Sequence, residues 1–199
     1  MPLVTASTLI EAARKGQVVS FPTDTVPALA VLPHQTQAIY QLKQRSLDKP
    51  LILMAADIAD LLPYLAGTEA ERQQWQTVMA QYWPGALTLV LPASSLVSPD
   101  LNPRQDGSLG VRIPQHPQAL EILAQTGPLA TTSANLSGSP PLIMMTAIAE
   151  AFPTVLTLAE DLSVQAGASG QPSTVIQWLA PDWQVLRQGS VVLKDIKES

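Results

Sequence analysis

A chain of 199 residues, 46% of them apolar and 14% charged, suits one domain with a substantial core and is not a disordered sequence. Its formal charge of −5 argues against a broad basic surface for non-specific nucleic-acid binding. It contains no cysteine, which excludes disulfides, thiolate chemistry and zinc–cysteine sites.

Charged residues are fewer than the ~25% usual for globular proteins, so Gln, Ser, Thr and Pro must cover much of the surface. No apolar run approaches the ~18 residues that read as a membrane span. The N-terminal "MPLVTASTLIEAARKG" lacks a basic leader followed by an apolar block. A cytoplasmic location without membrane attachment is therefore expected. The glycosylation-like "NLS" at 135–137 is discounted for the same reason.

In chain order, "TASTLIEAARKG" reads as a helix capped by Thr5 or Ser7 and ended by Gly16. "QVVSF" reads as a strand and "VPALAV" as another, begun by proline. "HQTQAIYQLKQR" reads as a helix with Ala38, Ile39 and Leu42 on one side, and "LILMAA" as a buried strand. "DIADLLPYLAG" is a short helix bent or ended near Pro63. "TEAERQQWQTVMAQYW" is a strong helix whose Thr68 and Glu71 form a capping-box pattern, and it stops at Pro84–Gly85.

"ALTLVLPA" follows as a strand. Residues 93 to 108 read as a long loop of the kind that is often functional. "SLGVRIP" is a strand, "HPQALEILAQTG" a helix with proline in its first turn, and "PLATTSA" a strand running into polar residues. "AIAEAF" is a short helix, "TVLTLA" a strand and "QAGASGQPS" a loop. "STVIQW" and "WQVLRQ" are strands joined by "LAPD". There is no internal repeat and no convincing internal boundary, so an α/β fold in one domain over residues 1–199 is expected.

The chain has no P-loop, no G-x-G-x-x-G fingerprint and no G-x-S-x-G elbow. Its only histidines, His34 and His116, read as exposed helix-start residues, with a metal site shared with a carboxylate as the alternative. Polar clusters instead follow the apolar strands. They are "FPTDT", "KQRSLDKPL", "GVRIP", "TTSANLSG", "GASGQPSTV" and "LRQG". Taken singly, each has a plain reading: a solvated helix end, a snorkelling arginine, a capped turn, a linker. Taken together, they hold five of the eleven Lys and Arg residues, which in an acidic chain suggests one basic cavity at the strand ends. Lys and Arg neutralise phosphates, and Arg grips phosphate or carboxylate in a bidentate manner. With no protein nucleophile evident, the pattern suits phosphoryl or nucleotidyl transfer by positioning and charge stabilisation, with Mg²⁺ held mainly by the nucleotide and no protein metal ligand.

In their order, "FPTDTV", "KQRSLDKPL", "WPGALTLVLP", "GVRIPQHP", "PLATTSANLSG", "PSTV" and "LRQG" resemble the YrdC family of threonylcarbamoyl-adenylate synthases, over roughly residues 8 to 192 and in its short form. The resemblance implies a twisted, mixed, open α/β sheet flanked by helices, with a basic concave face. It implies that L-threonine, bicarbonate or CO2 and ATP give threonylcarbamoyl-AMP and pyrophosphate. Downstream transferase proteins then place the threonylcarbamoyl group on N6 of adenosine 37 of ANN-decoding tRNAs. Some members are linked to double-stranded RNA binding, so tRNA or double-stranded RNA stands as a further partner. By the same resemblance, Lys43, Arg45 and Lys49 hold the triphosphate with Arg187 nearby, and Ser133, Asn135 and Ser173 contact the nucleotide. Thr23, Thr25 and Thr131 line the threonine end, and Arg112 binds the threonine carboxylate or the carbamate. Lys43, Arg45 and Arg112 are the expected catalytic residues.

The chain departs from the family pattern at Pro27–Ala28, where an aromatic residue and glycine are usual, and at Met54, where many relatives carry histidine. The stretch before "PSTV" also lacks the usual acidic and double-glycine pattern. A non-catalytic RNA-binding or ribosome-maturation module, and a related transferase that uses another amine, are the competing readings.

Overall fold

The structure, a computed structural model, describes residues 3–159 and 168–193. The sheet strands are β1 (Leu3–Val4), β2 (Val19–Phe21), β3 (Ala28–Val31), β4 (Ile52–Met54), β5 (Leu87–Pro92), β6 (Ser108–Arg112), β7 (Leu129–Ser133), β8 (Leu156–Leu158), β9 (Thr174–Leu179) and β10 (Asp182–Arg187). The helices are α1 (Ala6–Arg14), α2 (Gln37–Lys43), α3 (Ile58–Leu61), α4 (Glu69–Tyr82), α5 (Pro117–Thr126) and α6 (Met145–Ala151).

Among the described residues the strands form one sheet in the order β1-β8-β2-β3-β7-β4-β6-β5-β9-β10. It is mixed. The β1/β8, β2/β8, β4/β6 and β5/β9 pairs are parallel, and the remaining neighbours are antiparallel. The expected α/β class and mixed open sheet are therefore what the chain adopts.

The sequence explains the elements locally. "ALAV" of β3 lies between β2 and β7 and is buried at every position, as a continuous apolar run in a central strand should be. Thr5 caps α1, its side chain accepting from Thr8 N at 3.4 Å. Pro63 leaves α3 only one turn long, after which the chain tightens into a 3₁₀ turn at Leu62–Tyr64. At α4, Thr68 Oγ1 accepts from Glu71 N at 3.3 Å while Thr68 N donates to Glu71 Oε2 at 2.8 Å. The same carboxylate takes Trp178 Nε1 at 3.1 Å, tying the start of α4 to β9, where Trp75 and Trp178 meet edge-on at 6.4 Å. Thr68→Ala is expected to lower stability by about 1 kcal/mol, and Tm by ~2–4 °C in a thermal melt, without altering turnover, because the cap lies outside the cavity described below.

Two local expectations are corrected and one strand is added. The strand β1 carries no legible pattern in its two residues and exists because it pairs in parallel with β8. The second helix ends at Lys43 rather than continuing to Arg45, because Gln44 takes a left-handed conformation with φ 50°. His116 is buried rather than exposed: it occupies the N-cap position of α5 and its Nδ1 has no hydrogen-bond partner. His34 is exposed, as expected.

Helix α1 packs against α5, β2 and β8, α6 against β1, β2 and β8, and α2 against β3. No helix among the described residues is long and apolar enough to cross a membrane.

Candidate functional site

Register places the site. Met54 pairs with Arg112, Leu89 with Val111, Ile52 with both Gly110 and Thr131, and Ala28 with Ser133. Side chains alternate along a strand, so Ala28, Ser133, Thr131, Ile52, Met54, Arg112, Thr88 and Val175 share one face of the sheet. Gly110 lies on that face without a side chain, and a Cβ there would lie 2.8 Å from Ile52 Cγ2. Over this face is a cavity of about 230 Å³. The rim turn after β2, the 45–50 loop and the chain around Pro172–Ser173 contribute its walls.

Arg112 enters the cavity from β6. Its side chain is 3% exposed. Nε donates to Gly85 O at 2.9 Å, one terminal nitrogen to Thr25 Oγ1 at 2.8 Å and the other to Asp24 Oδ1 at 2.7 Å. A guanidinium has five N–H groups, so each terminal nitrogen keeps one N–H without a protein acceptor among the described residues. Burial pulls its pKa below the ordinary arginine value, the Asp24 carboxylate pulls it back up, and Arg187 pushes it down again. It remains a cation across the physiological range.

The "PTDT" turn is ordered by its own hydroxyls. Thr23 Oγ1 donates to Val26 O at 2.8 Å and accepts from Thr25 N at 3.2 Å. Its one proton is thus committed, so in the 3.0 Å contact between the two hydroxyls Thr25 is the donor. Thr25 then accepts from Arg112, and toward the cavity it can act only as an acceptor. Thr23 is fully buried and positions Thr25 without lining the cavity.

Lys43 is also enclosed. It is 1% exposed, and Nζ donates to Thr132 Oγ1 at 3.4 Å, Asn135 Oδ1 at 3.2 Å and Ser133 O. Asn135 Oδ1 also accepts from Ser133 Oγ at 2.5 Å, and Asn135 Nδ2 donates to Leu136 O and Ser139 O. Lys43 thereby holds the chain that follows β7. Burial, and secondarily the Arg45 charge, lower its pKa to about 7.

Arg45 and Arg187 both line the cavity. Arg45 donates Nε to Lys49 O at 2.9 Å and a terminal nitrogen to Pro50 O at 3.2 Å. Arg187 grips Ser173 O through Nε at 3.1 Å and a terminal nitrogen at 2.8 Å. Ser173 Oγ in turn lies 2.8 Å from Thr88 Oγ1. Among the described residues neither arginine has a carboxylate partner, and burial lowers the pKa of both. Gly189 lets the C-terminal strand end close against this wall: a Cβ there would lie 2.3 Å from Pro172 O.

Of the residues singled out from sequence, Thr25, Arg45, Arg112, Thr131, Ser133, Ser173 and Arg187 meet around the cavity. Lys43, Asn135 and Thr23 stand behind it, and Lys49 is exposed and outside the lining. All three residues that depart from the family pattern, Pro27, Ala28 and Met54, form part of the apolar floor with Ile52 and Pro50. Ala28 sits in a regular strand, where alanine carries no backbone strain. Part of the "QAGASGQPS" loop lies outside the described residues. Its described end donates Ser169 N to Asp24 O and Gly170 N to Thr25 O, both at 3.0 Å. Asp24 and Thr88 are the site residues that sequence reasoning passed over. Among the described residues no group of three or more His, Asp or Glu side chains could hold a metal ion.

Known proteins fit this geometry. The sequence profile of the family described as telomere recombination (Sua5/YciO/YrdC) matches residues 11–189. A threonylcarbamoyl-AMP synthase of Serratia proteamaculans is 38% identical over 185 residues, covering 91% of this chain and 94% of its own length. One from Bacillus subtilis is 44% identical over 135 residues, 64% of this chain but 37% of the longer relative. The structure of P. abyssi Sua5 complexed with L-threonine superposes with a TM-score of 0.86 at 27% identity, over 98% of this chain and 58% of that protein. The chain thus spans nearly the whole of its short relative and under two thirds of the longer ones, and it belongs to the Sua5/YciO/YrdC family.

Proposed function

We propose that this protein forms threonylcarbamoyl-AMP and pyrophosphate from L-threonine, bicarbonate or CO2, and ATP. One observation carries the reading: Arg45, Arg112 and Arg187 converge on one sheet face, and among the described residues no carboxylate lines the cavity there. Such a cavity suits a reaction between anions. Bicarbonate takes up a proton and loses water to give CO2, and the threonine amine adds to CO2 and releases a proton to solvent, leaving a carbamate. A carbamate oxygen then attacks the α-phosphorus, the bond to the β-phosphate oxygen breaks, and pyrophosphate leaves. Arg112 and Thr25 supply the threonine and carbamate end, with Thr25 accepting from an N–H or O–H of the amino acid. Thr131 and Ser133 line the same cavity. Arg45 and Arg187, with Ser173, take the phosphates and offset the repulsion between two anions. Lys43 acts beside them by fixing Ser133 and Asn135, and Lys49 adds positive charge from outside the cavity lining. Mg²⁺ would come with ATP rather than be held by a described carboxylate cluster, and it would supply further charge neutralisation beside Arg45 and Arg187. Thr23 serves the amino-acid end through Thr25.

The chain is read as one catalytic domain acting in the cytoplasm. The product passes to transferase proteins that modify adenosine 37 of tRNA. Direct RNA binding is the weaker reading, since Arg45, Arg112 and Arg187 are folded into the cavity rather than spread over a surface.

Pyrophosphate release from ATP and bicarbonate, followed with and without threonine, tests the proposal. Release that depends on threonine is expected. Release that is absent, or indifferent to threonine, in folded protein would overturn it. A panel of other amino acids in the same assay reads out whether the floor of Pro27, Ala28 and Met54 admits a different side chain.

A further inference from the structure

Asp24 belongs to the first polar cluster of the sequence, yet it does not line the cavity. Its carboxylate is 12% exposed and Oδ1 accepts twice, from an Arg112 terminal nitrogen at 2.7 Å and from Gln115 N at 3.0 Å. Its own carbonyl takes Ser169 N at 3.0 Å. The residue is therefore held by main-chain groups from two other segments, and it bonds the one arginine whose leftover N–H groups are at the amino-acid end. Of the other two anchors of Arg112, Gly85 O fixes only Nε, and the Thr25 hydroxyl is itself a rotor set by Thr23. The Asp24 bond is the one of the three that is charge-assisted from both sides, and so it is the strongest single restraint on the guanidinium plane.

We propose that Asp24 is a positioning residue: its carboxylate fixes the rotation of the Arg112 guanidinium so that the two free N–H groups form a fork for a substrate carboxylate or carbamate. Asp24 touches no substrate and acts through Arg112. A fork held in one plane recognises a planar, two-oxygen anion, whereas a freely rotating guanidinium offers charge without geometry. The effect is local to the amino-acid end, because Arg45 and Arg187 are held by separate carbonyls.

In kinetics this inference rests on the function proposed above, and a second measurement does not. Asp24→Ala is expected to raise the KM for threonine about tenfold or more, the effect of losing a hydrogen bond to a charged group, with the KM for ATP and kcat within about twofold. Asp24→Asn keeps an oxygen acceptor and should recover most of the loss. If Asp24→Ala does not fold, Asp24→Glu carries the test, since an added methylene displaces the oxygens while the charge stays; the same selective rise in threonine KM is expected. Nitrogen-15 NMR of the Arg112 side chain, without substrates, should show separate terminal N–H signals in wild type and Asp24→Asn, and averaged signals in Asp24→Ala or Asp24→Glu. Wild-type threonine KM and separate signals in the Ala or Glu variant would overturn the proposal, as would equal rises in both KM values. A wild type with no threonine-dependent turnover would sink the proposed function instead, leaving the NMR result to decide the role of Asp24.

Discussion

Arg112→Met is expected to reduce threonine-dependent pyrophosphate release at sub-saturating threonine by about 10²-fold or more, because two charge-assisted bonds to the substrate anion are lost together. Arg112→Lys should recover little, because an ammonium cannot reproduce the fork that bonds Gly85 O, Thr25 and Asp24 together. The same change threatens stability. Breaking a buried ion pair from one side leaves an uncompensated charge, which costs about 3–5 kcal/mol where both partners are desolvated. Asp24 is 12% exposed, so part of that cost is relieved by water. The double variant Arg112→Met with Asp24→Asn removes both charges and separates the two effects. It should melt closer to wild type than Arg112→Met does and still be inactive. Melting curves and pyrophosphate assays on the same samples check this. A double variant that regains turnover would mean that Arg112 matters only as the partner of Asp24.

What the sequence made legible was whatever a residue announces alone. Arg112 stands out because a charge between Val111 and Ile113 conflicts with a buried strand, and β6 does carry it into the sheet. Thr68 and Glu71 are legible because a capping box is complete within four residues. Less legible was anything whose meaning depends on a distant partner. Asp24 looked like one polar residue on a rim; its partner lies 88 residues away. Lys43 looked like a helix-end cation directed at phosphates, but the oxygens it bonds are about 90 residues further on, and the helix ends with it, before a left-handed Gln44. Thr88 was hidden inside the apolar run "ALTLVLPA", where threonine passes as an ordinary β-branched strand residue. The resemblance brought the right clusters together. Register then decided which members share a face: Thr131 and Ser133 stand on the cavity face of β7, whereas Asn135 lies past the end of that strand, where pairing no longer sets its direction.

Lys43 yields the other large effect, and its sign can be worked out. In the folded, ligand-free protein its pKa is about 7, set by burial and by Arg45. At pH 8 much of it is therefore neutral. An ammonium has three donors for its three oxygen acceptors, whereas a neutral amine has two, so protonation completes the cage around Thr132, Ser133 and Asn135. A triphosphate bound beside Arg45 adds negative charge near Lys43, which favours the ammonium and raises its pKa. ATP binding should then take up a proton, most strongly at pH values just above 7, and the uptake should vanish near pH 5.5, where Lys43 is already charged. Calorimetry of ATP binding in buffers of different ionisation enthalpy reads this directly. Lys43→Met should abolish the uptake and leave three acceptors without their donor, at a cost of about 1–3 kcal/mol for each oxygen that water cannot reach. Its turnover should fall at least tenfold as the Ser133–Asn135 segment loses its anchor. The folding linkage has the opposite sense to that of an ordinary surface lysine. The unfolded chain holds the Lys43 proton up to a pH of about 10.4, so between about 7 and 10.4 the unfolded state binds more protons and this residue makes stability rise with pH. A wild-type protein that binds ATP with no proton uptake at pH 8 would show that Lys43 is already fully charged in its cage, and its contribution would then be positional alone.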